Sequence, residues 1–161
     1  MKHRALLLSA LGLLAGCSTL TTHVEPKADL SGRRHIYVVE NLNDNHGLHD
    51  LIVRELQARG LQAESGPLTL MPADAKTYLN YEDRWDWDFT NYLIALGMTL
   101  REANSDRLLA TANYFRPTAF MKTPDSMVRT VLGGLFKPDA RSNRPSPASP
   151  PEETPGRRRE R

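Results

Sequence analysis

The chain has 161 residues, which is enough for one domain with extensions at its ends. It carries 21 basic and 19 acidic residues, and this near balance gives no indication of nucleic acid as a partner. Cys17 is the only cysteine, so an intramolecular disulfide is excluded, and an exported protein would carry one free thiol.

The N-terminus has the composition of an export signal. The basic region Met1–Arg4 precedes an apolar run over Ala5–Leu14, which is roughly ten residues and too short to span a bilayer. Leu-Ala-Gly-Cys ends the signal, and this order resembles the lipobox of bacterial lipoproteins. The resemblance implies a signal peptide over 1–16, cleavage between Gly16 and Cys17, a diacylglycerol on the Cys17 sulfur and an N-acyl chain such as palmitate. The alternatives are a secretory peptide in which Cys17 is incidental, or an uncleaved anchor.

The residues after Cys17 predict the location of the mature protein. Position 18 is Ser, where aspartate commonly signals inner-membrane retention in enterobacterial lipoproteins. The lipoprotein resemblance therefore implies a lipid anchor in the outer membrane, on its periplasmic face. Residues 17–33 are polar and short of periodic apolar positions, and they predict a flexible tether.

The folded domain is predicted over 34–136 and opens with a strand, a helix and a strand. Ile36–Val39 is rich in β-branched residues, which is typical of a buried strand. His46–Arg59 places apolar residues three and four apart on one helical face, and Gly60 follows as a helix terminator. Leu61–Glu64 predicts a second strand, which can lie parallel to the first.

The second half of the domain predicts a hairpin and a covering helix. Apolar positions alternate through Trp85–Phe89 and change parity at Tyr92, which requires a turn, a bulge or a break. Alternation on both sides of the polar turn 104–106 predicts an antiparallel hairpin. Thr123 as N-cap and Pro124 at the first position predict a helix to Phe136.

The C-terminal residues 137–161 differ in composition from the domain. Six of the 11 prolines lie there, among serine and arginine residues. Such a segment cannot bury a core, so a disordered tail with a basic end is predicted.

Few residues of the chain have the spacing of a reactive site. His46 and His49 are three apart with Asp44 and Asp50 beside them, but no third ligand is fixed by spacing, so no metal site is predicted. No nucleophile elbow, phosphate-binding loop or dinucleotide motif is present, and no catalytic residue is predicted.

Aromatic residues are concentrated in the middle of the chain. Tyrosine and tryptophan are enriched at binding hot spots, so these side chains either fill the core or form a contact surface for a partner or ligand. The residues predicted for such a surface are Tyr81, Trp85, Trp87 and Tyr92.

The segment Tyr-Glu-Asp-Arg-Trp-Asp-Trp over 81–87 resembles a group of small proteobacterial lipoproteins of unassigned activity. The order of elements is also similar to the small α/β domains of envelope lipoproteins related to the amino-terminal domain of TolB and to the curli secretion lipoprotein. This resemblance covers about 34–136 and implies a compartment and a fold.

The predicted architecture is a single α+β domain with a four- to five-stranded, largely antiparallel sheet and two helices on one face. The predicted function is non-enzymatic: a lipid-anchored accessory or scaffold in envelope assembly or transport, with an envelope protein as partner. The alternative is a periplasmic carrier that binds a lipid or small hydrophobic ligand in an aromatic pocket. No cofactor is predicted beyond the lipid on Cys17.

Overall fold

The computed structural model describes residues 18–116 and 122–136. The predicted signal peptide, Cys17 and the tail 137–161 lie outside the described residues. Within them, six strands and two α-helices follow in chain order: β1 (Thr19–Val24), β2 (His35–Val39), α1 (Leu48–Ala58), β3 (Gln62–Gly66), β4 (Thr77–Asp88), β5 (Thr90–Glu102), β6 (Leu108–Phe115) and α2 (Pro124–Leu135). A single 3₁₀ turn, Leu68–Leu70, lies between β3 and β4.

The six strands form one mixed sheet in the order β1-β6-β5-β4-β2-β3. β2 is parallel to both β3 and β4, and the other neighbours are antiparallel. The α+β class is confirmed, as is the parallel pairing of the first two predicted strands. The predicted count of four to five strands is too low, and two of the five pairings are parallel.

The additional strand β1 lies inside the segment that was predicted to be a tether. The prediction of a flexible tether over 17–33 is therefore wrong for Thr19–Val24, which pairs with β6 along its whole length. β1 packs against α2 at Gly134, where an added Cβ would lie 2.5 Å from Cγ2 of Thr22. The absence of a side chain at Gly134 lets strand and helix approach closely, and β6 supplies pairing partners for all six residues of β1.

Both helices pack on one face of the sheet and form a single core with it. α1 begins after Gly47 and ends before Gly60, and both glycines adopt a positive φ. α2 begins as predicted, because the Thr123 hydroxyl accepts a hydrogen bond from the Ser126 N–H and Pro124 opens the helix. The side chains that are fully buried in this core include Ile36, Leu48, Ile52, Leu56, Leu79, Leu96, Met98, Leu100, Leu109, Met127, Leu132 and Leu135.

Two hairpins extend the sheet in opposite directions. The predicted hairpin is confirmed as β5–β6, with its turn over 103–107. The change of parity before Tyr92 is explained by a second hairpin, β4–β5, which turns at Phe89 with a φ of 62°. A register shift opposite Arg84 and Trp85 adds a bulge in the same hairpin.

The strand directions give the sheet two distinct ends. At one end β1 begins at Thr19, β6 finishes at Phe115, β4–β5 turns at Phe89, and the loop 40–47 leaves β2. We call this the aromatic end. The opposite end holds the segments 25–34, 71–76 and 103–107, and we call it the charged end.

Candidate functional site

The four aromatic residues predicted as a contact surface are divided between the core and the surface. Tyr81 is buried in the core, and Trp85 is half-buried against it. Trp87 has 69% of its surface exposed, and Tyr92 is half-buried on β5 opposite Asp86. The structure therefore does not bring all four together: Tyr81 and Trp85 belong to the core or its edge, whereas a contact role for the exposed Trp87 stays a prediction.

The loop 40–47 folds over β4 and is fixed there by Asp44. The Asp44 side chain is inaccessible to solvent, and one of its oxygens accepts a hydrogen bond of 2.8 Å from the Tyr81 hydroxyl. The backbone N–H groups of His46 and His49 also donate to this carboxylate, at 2.9 and 3.2 Å. Asp44 thus stabilises the start of α1 and ties it to the sheet.

The surroundings of Asp44 and Tyr81 keep the carboxylate ionised and the hydroxyl protonated near neutral pH. Burial by itself would raise the pKa of Asp44, but hydrogen bonds from Tyr81, His46 and His49 outweigh it and lower the pKa to about 2. Burial and the bond to Asp44 raise the pKa of Tyr81 above its usual range. Neither group changes its charge near neutral pH, so neither is suited to general acid–base catalysis.

A second carboxylate, Asp83, extends the same network along β4. Its oxygens accept hydrogen bonds from the Trp85 indole at 2.7 Å and from the Asn41 amide at 3.3 Å. The His46 ring stacks on the Trp85 ring with centroids 3.8 Å apart. These contacts bind the loop to the strand through both polar and aromatic groups.

The network contains donor atoms that could hold a divalent cation. Ligand atoms of Asp44, His46 and Asp83 all lie within 4.8 Å of one another. His49 instead lies 3.3 Å from the Asp44 carboxylate. A cation would displace hydrogen bonds that already occupy both carboxylates, so the arrangement is better explained as structural.

Sequence reasoning missed the part that Asp83 plays in this network. The spacing of the two histidines indicated only local neighbours, whereas Asp44 and Asp83 are brought together by the pairing of β2 with β4. The Tyr81–Asp44 bond spans 37 positions in sequence. No local periodicity indicates such a contact, and only correct placement of the two parallel strands could have done so.

The turn of β4–β5 is the most exposed apolar feature at the aromatic end. Phe89 is 90% exposed, and its ring centroid lies 6.4 Å from that of Trp87. Both side chains extend beyond the last pairing of β5 with β6, which joins Ala95 to Phe115. The tip is therefore a projection, with solvent on several sides.

The charged end holds a cluster of partly buried ion pairs and hydrogen bonds. Arg33 donates to Glu102 at 3.0 Å and to the Thr77 hydroxyl at 2.9 Å. Hydrogen bonds from Ser105, Arg33 and Arg107 lower the pKa of Glu102 to about 2. This cluster joins the loop after β1 to the β5–β6 turn, and its groups satisfy one another.

Neither described helix has the length and apolar character needed to cross a bilayer.

Comparison with known proteins shows the fold. No protein-family model matches the chain, and no curated protein matches it. A PelC dodecamer from Paraburkholderia phytofirmans is similar with a TM-score of 0.54 and 15% identity, over 74% of this chain and 98% of that one. A single-substitution variant of that dodecamer is similar with a TM-score of 0.54 and 14% identity, over 72% of this chain and 97% of that one. A minor lipoprotein from Acinetobacter baumannii has a TM-score of only 0.28 at 16% identity, over 62% and 79%.

Proposed function

We propose that this chain is an envelope lipoprotein that is anchored by acyl chains on Cys17 in the outer membrane and faces the periplasm. Its role is that of a non-enzymatic accessory or scaffold in envelope assembly or transport. The lipobox-like residues 14–17 and Ser18 support the anchor and the destination.

The non-enzymatic part of this proposal rests on one contrast. The polar groups around Asp44 and around Glu102 form hydrogen bonds with one another. The large aromatic side chains at the β4–β5 turn are instead exposed to solvent. The Asp44–Tyr81 pair holds fixed protonation states near neutral pH. Trp87 and Phe89 are instead exposed on a projection. Exposed aromatic side chains of this kind are typical of contact surfaces.

In this role, several copies of the chain assemble with one another. The shared fold with a protein that is a dodecamer supports this part of the proposal. β1 also supports it, because it is at the edge of the sheet and pairs, among the described strands, with β6 alone. An edge strand offers backbone groups to another strand.

The proposal is tested on the full-length protein extracted from its own cell envelope in a mild detergent. We expect sucrose-gradient fractionation to place it with the outer membrane, and light scattering to give a mass of several copies. Crosslinking in cells should capture an envelope protein or a second copy. A monomer that crosslinks to neither would contradict the scaffold role, and a lipid recovered from unacylated protein made without detergent would favour the carrier.

A further inference from the structure

We propose that the tip of the β4–β5 hairpin is a second membrane contact, with Trp87 and Phe89 inserted in the headgroup region of the leaflet that holds Cys17. This inference rests on the lipidation proposed above. It adds a defined orientation, in which the aromatic end of the sheet faces the membrane and the charged end faces away.

The register of the sheet places the anchor and the tip at the same end. Thr19, where β1 begins, is paired with Phe115 of β6. Phe115 is paired in turn with Ala95 of β5, on the strand that leads directly to Phe89. The chain therefore runs from Cys17 into the sheet at the end where the hairpin projects.

Chain length then brings the tip to the bilayer. Thr19 is two residues from Cys17, which is a distance of at most about 7 Å. From Ala95, which is level with Thr19, the hairpin continues for five residues to Thr90, or about 15 Å at the rise of a strand. The hairpin therefore extends further from the level of Thr19 than the link to Cys17 can reach. If Cys17 is anchored in the membrane, the tip of the hairpin meets the lipid surface.

The chemistry of the tip fits this position. Tryptophan favours the membrane–water interface, because its ring is apolar and its N–H is polar. Arg84 and Asp86 are both exposed on β4 near the tip and carry opposite charges, so we expect an apolar contact that does not depend on anionic lipid.

The distribution of other exposed apolar side chains agrees with this orientation. Leu42, in the loop 40–47, is 94% exposed at the aromatic end, and Phe115 at that end is 45% exposed. Leu68 and Leu70, which are 48% and 72% exposed, lie in the connection from β3 to β4, which runs from the aromatic end to the charged end. Within the described residues, none of the exposed large hydrophobic side chains lies in 25–34, 71–76 or 103–107, at the charged end.

The test uses the full-length acylated protein in vesicles of phosphatidylcholine and phosphatidylethanolamine with brominated acyl chains, which quench nearby tryptophan. The chain has two tryptophans, and we expect roughly half of the emission to be lost because only Trp87 reaches the lipid. Trp87→Phe leaves Trp85 as the reporter and should show little quenching. Trp87→Phe combined with Asn104→Trp places a tryptophan at the charged end and should also resist quenching.

The outcomes separate this inference from the proposed lipidation. Mass spectrometry of the same preparation shows whether Cys17 carries acyl chains, and their absence would overturn both. With the acyl chains present, quenching equal to that of Trp87→Phe would overturn the hairpin contact alone. Protection of Trp87 from aqueous acrylamide without quenching by bromolipid would also overturn it, because another copy of the chain would then cover the tip.

Discussion

The aromatic end and the charged end of the sheet differ in what they offer to solvent. At the charged end, Arg33 and Arg107 surround Glu102, and the exposed groups are polar. At the aromatic end, Trp87 and Phe89 project beyond the neighbouring strands, while the carboxylate of Asp44 is buried between the loop 40–47 and β4. The two ends of the sheet therefore differ in their most prominent side chains, which are ion-paired at the charged end and aromatic at the other.

The largest expected effect comes from Cys17→Ala, because no other thiol in the chain can accept a lipid. We expect an unprocessed or mislocalised protein and its loss from the outer-membrane fraction, measured by immunoblotting after fractionation. The proposed membrane contact of Trp87 and Phe89 would be too small to hold the protein by itself. A mature acylated protein in this variant would show that the lipobox interpretation is wrong.

The next effect distinguishes buried from exposed leucines. Leu132 is fully buried beneath the sheet, so Leu132→Ala should lower the free energy of unfolding by about 2–5 kcal/mol. Leu42→Ala at the aromatic end is the matched control and should change it by less than about 0.5 kcal/mol. Urea denaturation measures both. Equal losses would show that Leu42 has a structural role.

Asp44 gives the aromatic end a dependence on pH. The pKa of Asp44 is lowered from 3.8 to about 2 in the folded state. The ionised carboxylate therefore contributes fully to the free energy of unfolding above pH 4, and this contribution is lost as the pH falls towards 2. The side chain is fully buried, and the shift corresponds to about 2 kcal/mol. In urea denaturation at several pH values, the stability difference between wild type and Asp44→Asn should narrow below pH 4. A constant difference would contradict this assignment.

The smallest effect compares the turns of the two hairpins. Phe89 and Asp106 both have a positive φ, of 62° and 54°. Phe89→Gly should remove about 1–2 kcal/mol of backbone strain from the folded state. The greater conformational entropy of glycine in the unfolded chain costs about 0.5–1 kcal/mol, so the free energy of unfolding should rise by about 0.5 kcal/mol. Asp106→Gly should destabilise, because Asp106 accepts a hydrogen bond from Tyr78 and lies 3.4 Å from Arg101. Thermal melts measure both, and a loss in Phe89→Gly would show that the ring stabilises the turn.

The elements that could be predicted from sequence are those with local signals. The apolar spacing of α1, the Thr123–Pro124 start of α2 and the alternation around the β5–β6 turn all gave correct elements. β1 was missed because the strand that it pairs with, β6, is remote from it in sequence, so no local pattern indicates the pairing. The β4–β5 turn carries phenylalanine where glycine or asparagine would have indicated a hairpin.

The site was less predictable than the fold, for a related reason. Periodicity indicated that aromatic residues alternate on β4, but not where the strand leaves the body of the sheet. Tyr81 lies beneath the loop 40–47, whereas Trp87 lies further along β4 and beyond the cover of that loop. Burial at these positions is set by how far each neighbouring strand extends.

The pairing of β1 with β6 also determines how the domain responds to mechanical load. A lipid on Cys17 would transmit any pull between membrane and body into β1 through Thr19, along the axis of the strand. The six residue pairs from Thr19–Phe115 to Val24–Ala110 would then be loaded in shear. In shear, the hydrogen bonds between the two strands bear the load together, whereas in peeling they break one at a time. With the proposed anchor in place, the edge strand would resist separation of the anchor from the fold.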